Sequence, residues 1–155
     1  VPFCLTGGTC LAEGIGEILT PLPALPICHI LIGKPEAGCP THEAYQLYDR
    51  YGAEYHPDTD YLVEQLRKGN FKAFAARMYN VFEEVITLED VMILRNKMIA
   101  GGALGSLMSG SGSAVFGVFE SRSLAKHCMR KLYGTAQSVF LARPVNFGAV
   151  VIDAV

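Results

Sequence analysis

Met108-Ser109-Gly110-Ser111-Gly112-Ser113-Ala114-Val115-Phe116 is the stretch from which the rest of the chain can be read. Apolar residues lead into it (Ala103, Leu104, Leu107), and a strand-like run, Ala114-Val115-Phe116-Gly117-Val118-Phe119, leads out. Glycine and serine alternate between the two runs, so side chains shield the backbone N–H groups there very little. A loop whose backbone must approach a phosphate needs that composition. The stretch therefore predicts a strand, a tight anion-contacting loop and a second strand. It is not a Walker loop, because no Gly-Lys-Ser/Thr follows. It is not a nucleophile elbow either, because a strand follows rather than a helix. A solvated hairpin loop is the competing reading for any isolated Gly/Ser run. The close apolar flanks, and hydroxyls able to donate to oxyanions, favour Ser109, Gly110, Ser111 and Gly112 as a phosphate loop.

Working outward, Ser121 caps a helix carrying Leu124, Ala125, Cys128 and Leu132, which Gly134 closes. Val139–Ala142 and Ala149–Ile152 read as closing strands. On the other side, Glu89 begins a helix that Gly101-Gly102 ends. Before it, Asn70 opens a helix in which Phe71, Phe74, Ala75, Met78, Val81 and Phe82 recur at helical spacing. Asp58 or Thr59 starts another, with Leu62, Val63 and Leu66 as its apolar stripe and Gly69 as its stop. Thr41 reads as the cap of a helix from His42 to about Arg50, with Tyr45 and Tyr48 on one face. Cys28–Ile32 is a buried strand. Pro21, Pro23 and Pro26 mark a connector, the best domain boundary in the chain. Ahead of it, Val1–Leu5 reads as a short strand, Thr6–Thr9 as a turn, and Cys10–Glu13 with Glu17–Leu19 as a hairpin around Gly14-Ile15-Gly16. From residue 26 onward the order strand, helices, strand, strand, helix, strand predicts an α+β, ferredoxin-like domain, an antiparallel sheet with helices packed on one face.

The 155 residues suffice for one ordinary core, and half of them are hydrophobic, which excludes intrinsic disorder. The net charge of −2, without a basic run, gives no sign of a nucleic-acid or membrane-surface partner. No apolar run is long enough to span a bilayer. The five cysteines (Cys4, Cys10, Cys28, Cys39, Cys128) are odd in number and lack C-x-x-C spacing, so they read as small buried hydrophobes in a reducing compartment. A cytoplasmic location is the expectation. The four histidines show no ligand spacing, so no metal site is expected. Glu13 and Glu17 are separated by glycines that argue against a helix aligning them, so a paired-carboxylate hydrolase has little support. Thr41 and Tyr45 stay open between two readings. They are an N-cap and an amphipathic core residue, or a helix-start hydroxyl and an aromatic face available to a ligand.

Met108 through Gly117 closely resembles the third conserved motif of the GHMP kinases, the superfamily of galactokinase, homoserine kinase, mevalonate kinase and phosphomevalonate kinase. Val1-Pro2-Phe3, Gly7-Gly8-Thr9, Ala12 through Glu17, Lys34-Pro35 and Pro40 through Tyr45 narrow the likeness to the family acting on 4-diphosphocytidyl-2-C-methyl-D-erythritol. The resemblance runs over essentially the whole chain. It implies a kinase of non-mevalonate isoprenoid biosynthesis that takes ATP and Mg²⁺ and phosphorylates the 2-hydroxyl of that cytidine diphosphate-linked substrate. It implies that residues 1–25 are the tail of an N-terminal ATP-binding domain and residues 26–155 the C-terminal domain. It also places the family's lysine, long ATP loop and aspartate base upstream of Val1, so that no catalytic residue is expected in this stretch and the chain alone is expected to be inactive. The Tyr45 position would stack on the cytosine ring and the Thr41 position would contact substrate. Asn80 falls where related kinases carry an asparagine near an acidic pair; with Glu83 and Glu84 it reads as helix surface or local capping. The reading from another class is a non-catalytic ferredoxin-like module for ligand binding or oligomerisation.

Overall fold

The structure, a computed structural model, describes residues 1–150. Its central sheet has four antiparallel strands: β3 (His29–Lys34), β4 (Gly105–Met108), β5 (Val115–Phe119) and β6 (Ser138–Ala142), in the spatial order β4-β5-β3-β6. The first strand of the domain therefore lies inside, between the third and the last, as the ferredoxin-like topology requires. Ile30 stands opposite Val118 on one side and Ala142 on the other. A separate two-stranded hairpin, β1 (Cys10–Glu13) and β2 (Ile18–Pro21), precedes the sheet. An irregular, proline-marked connector joins the two.

Seven helices complete the described residues: α1 (Pro2–Thr6), α2 (Thr41–Tyr51), α3 (Thr59–Arg67), α4 (Phe71–Ala76), α5 (Phe82–Val85), α6 (Glu89–Ala100) and α7 (Arg122–Leu132). Two of them, α6 and α7, pack side by side on one face of the sheet. Alternate strand residues meet them there. Leu31, Val115 and Phe119 are fully enclosed with Leu94 and Met98 of α6 and with Ala125, Cys128 and Leu132 of α7. Each large side chain so buried contributes roughly 1.5–3 kcal/mol. Ser121 caps α7 by accepting from the Leu124 amide at 3.4 Å, and Asp58 caps α3 by accepting from the Tyr61 amide at 3.0 Å.

Several sequence expectations change. Val1–Leu5 is not a strand but the start of α1: Pro2 sits at the first helical position, where its missing N–H costs nothing, and Gly7 at φ +69° ends the turn. None of its residues is buried. Thr41 is not a cap. Pro40 occupies that position, and the Thr41 hydroxyl turns elsewhere. Asn70 holds the cap position of α4, but its side-chain amide donates to Gln65 Oε1 at 3.0 Å. The helix expected over 71–82 is broken into α4 and α5 around Arg77–Val81. Ala149 and Val150 are not in a strand; Ala149 donates to the Cys4 carbonyl at 2.9 Å. The rest of that expected strand lies outside the described residues.

Candidate functional site

The β4–β5 connection forms a hairpin loop closed by the Ser109 amide donating to the Ala114 carbonyl at 2.7 Å. Within it, the Gly112 amide donates to the Ser109 carbonyl at 3.0 Å. Gly110 lies at φ +55° with open space where a Cβ would stand, and Gly112 at φ +90° with Met108 Sδ only 2.5 Å from such an atom. Glycine at both places lets the chain turn left-handed without a side chain at the tip. The amides of Gly110 and Ser111 donate to no acceptor among the described residues. Two adjacent, uncommitted N–H groups on an exposed glycine turn form an arrangement that can hold an anion.

The loop is held from three directions. Asn80 Nδ2 donates to the carbonyls of Met108 and Gly110, each at 2.8 Å. Glu83 Oε1 accepts from the Met108 amide at 2.5 Å, while its other oxygen meets Arg95 at 2.6 Å; Arg95 Nε also donates to the Ser106 carbonyl at 3.2 Å. Burial pushes the Glu83 carboxyl above the usual carboxylate range, and the Met108 amide and Arg95 pull against that. At the β5 end, buried Ser113 donates to the Ala37 carbonyl and accepts from Lys34 Nζ at 2.9 Å. Lys34 also donates to the carbonyls of Pro35 at 2.9 Å and Ala37 at 3.4 Å.

Thr41 comes to the same place. Its Oγ1 lies 3.0 Å from Ser111 Oγ, although the two residues are far apart in the chain. One turn along α2, Tyr45 is 54% exposed and sets its ring against the edge of Phe82, centroids 5.0 Å apart at 77°. An exposed aromatic held at a fixed angle can take a base against its free face. Beside it, Glu84 accepts from the amides of Glu54 at 2.6 Å and Tyr55 at 3.1 Å and from the Tyr79 hydroxyl. That hydroxyl bond first, and the two amides, hold the Glu84 carboxyl below its ordinary value; the same bond pushes the Tyr79 hydroxyl up to about 12.

All six residues read from the sequence as binding groups thus fall in one region: Ser109, Gly110, Ser111 and Gly112 in the loop, Thr41 touching it, and Tyr45 beyond Thr41 on the same helix. The sequence reading missed Asn80, Glu83 and Lys34. Asn80 precedes α5, where its Oδ1 accepts from the Phe82 amide, and Glu83 lies within α5; beyond that local role, both side chains reach across and bond to the loop. A polar asparagine within an apolar helical stripe was the available signal. Cys28 and Cys128 are buried and their thiols are pushed up by burial. No three His, Cys, Asp or Glu side chains come together among the described residues. No helix of the described residues is long and apolar enough to cross a membrane.

Comparisons with known proteins agree with this geometry. Residues 62–136 match the family described as GHMP kinases C terminal. The chain is 42% identical, over 90% of its length, to 4-diphosphocytidyl-2-C-methyl-D-erythritol kinase of Lachnospira eligens, and 37% identical over 85% of its length to that of Alkaliphilus metalliredigens. It spans about half the length of these curated relatives, 50% and 46%. Among solved structures it superposes on a 4-(cytidine 5'-diphospho)-2C-methyl-D-erythritol kinase with a TM-score of 0.74 and 28% identity, over 92% of this chain and 52% of that one. A homoserine kinase from Cytophaga hutchinsonii shares the fold, with a TM-score of 0.69 at 18% identity over 94% of this chain and 50% of that one. Fold, loop and relatives converge: the chain belongs to the GHMP kinases, in the 4-diphosphocytidyl-2-C-methyl-D-erythritol kinase family, and carries the family's C-terminal domain.

Proposed function

We propose that the chain is the substrate-holding part of an ATP-dependent kinase that phosphorylates the 2-hydroxyl of 4-diphosphocytidyl-2-C-methyl-D-erythritol, with residues 26–155 as its C-terminal domain and residues 1–25 as the end of its ATP-binding domain. The observation that carries this is the contact of Thr41 Oγ1 with Ser111 Oγ at 3.0 Å. It puts the helix bearing Tyr45 against the loop bearing the free amides of Gly110 and Ser111. An elongated substrate with a nucleobase at one end and a reacting hydroxyl near a phosphate at the other suits that spacing of an aromatic face and an anion loop.

In this reading the Gly110 and Ser111 amides bind phosphate oxygens of ATP, and Ser109 and Ser111 add hydroxyl donors. Tyr45 stacks on the cytosine ring and Thr41 orients the substrate beside the loop. Phosphoryl transfer needs positioning and charge neutralisation more than covalent chemistry, and fixed backbone donors supply both. By the family resemblance, the base that takes the 2-hydroxyl proton belongs to the segment upstream of Val1. Mg²⁺, which the family uses, would be held by nucleotide phosphates and by groups outside the described residues.

The test is phosphorylation by the full-length kinase carrying this chain, followed by ³¹P NMR with ATP and three acceptors: the cytidine substrate, homoserine and mevalonate. Transfer to the cytidine substrate alone is expected. Transfer to homoserine or mevalonate in its place would overturn the assignment.

A further inference from the structure

The chain departs from its own helical pattern at Asn80. Apolar spacing persists from Phe71 to Phe82, yet α4 stops at Ala76 and α5 starts only at Phe82. Abandoning a turn of helix leaves backbone groups to find other partners. Sequences override a local preference of this kind mostly where a function needs the departure. What the break delivers is the Asn80 side chain. Both of its carbonyl bonds, at 2.8 Å, go to the β4–β5 loop, and its Oδ1 accepts from the Phe82 amide at 3.0 Å.

Those bonds have a directional consequence. The two carbonyls flank Ser109. The Gly110–Ser111 peptide is trans, the only cis peptide in the loop being Gly112–Ser113. In a trans peptide the C=O and the following N–H lie in one plane and point opposite ways. Drawing the Gly110 carbonyl toward Asn80 therefore turns the Ser111 N–H away from Asn80. That N–H donates to nothing among the described residues. We propose that Asn80 is a positioning residue that aims the Ser111 amide at the nucleotide phosphate, with Glu83 and Arg95 fixing the base of the same loop. The assignment rests on the phosphotransfer reading above.

Two variants of the full-length kinase test it. Asn80→Ala removes the donors, and Asn80→Asp keeps the shape while replacing donors with a carboxylate. ATP affinity is read by calorimetry, and amide exchange of Ser109 and Gly112 by NMR. Both variants are expected to weaken ATP binding by about tenfold or more, to speed exchange at those two amides by a similar factor, and to change KM for the cytidine substrate less than twofold. ATP affinity equal to that of the parent overturns the assignment, as does unchanged exchange, or an equal rise in both substrate constants, the mark of a merely structural residue. A parent that binds ATP but transfers nothing to the cytidine substrate overturns the functional reading and leaves this one standing. A parent that binds no ATP overturns both.

Discussion

Tyr45 packs against Phe82 and Tyr79 bonds to Glu84, two residues further along the same short helix, and the two tyrosines make different demands. Tyr45 presents a free face, so its truncation removes stacking area and little else. Base–aromatic stacking contributes about 1–3 kcal/mol, so Tyr45→Ala in the full-length kinase should raise KM for the cytidine substrate by about 5- to 150-fold. KM for ATP should stay nearly constant; steady-state kinetics varying each substrate in turn decides this, and an equal rise in both counts against stacking. Tyr79 is bound through its hydroxyl to a carboxylate that also ties down the amides of Glu54 and Tyr55. Its pKa is raised to about 12 from an ordinary 10, so the protonated form is favoured in the folded state. The sign follows: this stabilisation is fully present below pH 10 and is lost as pH rises through about 12. Glu84, held below its ordinary value, contributes in the opposite sense, and its stabilisation disappears as pH falls through its lowered pKa. In a titration of tyrosinate absorbance, one of the seven tyrosines should ionise late. Glu84→Gln should return it to the others. A single common step in the parent would show that the Tyr79–Glu84 bond does not persist in solution.

At the level of elements, the edge strand β4 depends on how closely α4 approaches it. A Cβ on Gly105 would stand 2.1 Å from the Ala75 carbonyl oxygen, a backbone atom with no rotamer to escape into. Gly105→Ala should cost about 1–3 kcal/mol and lower the melting temperature by about 4–10 °C. Calorimetry measures it, and an unchanged melting temperature would mean that α4 is free to slide. The elements themselves were mostly legible. Gly/Ser punctuation between alternating apolar runs announced β4 and β5, and capping residues marked α3 and α7. Short apolar runs were not: Val1–Leu5 suits a strand or a helix equally, and Pro2 at a first helical position decided it. The break between α4 and α5 was hidden because Met78, Val81 and Phe82 satisfy helical spacing whether or not the helix runs on. The turn of the loop was legible from composition, since Gly110 and Gly112 hold the positive φ that glycine suits. The residues that brace the loop were not, because a polar side chain's identity does not disclose a partner some thirty positions away.

For the molecule as a whole, the function proposed above assigns the main ATP loop, the lysine and the base to polypeptide other than this chain, which spans about half the length of its relatives. The 155-residue chain by itself should therefore transfer no phosphoryl group to the cytidine substrate. A coupled assay of ADP release measures this, and ATP-dependent product from the pure chain would overturn the division of labour proposed here. The sheet order carries one more consequence, which concerns synthesis. β3 is made first but sits between β5 and β6, and Ile30 pairs with Ala142, roughly 110 residues later. At about 5–20 residues per second, a ribosome needs on the order of 10 s to deliver that partner. Until β5 emerges Ile30-Leu31-Ile32 has neither edge paired, and from then until β6 arrives one edge stays open. The last strand to emerge closes the sheet, so a message truncated before residue 138 would release a chain whose central strand keeps an open edge, a substrate for chaperones and proteases rather than a smaller folded domain.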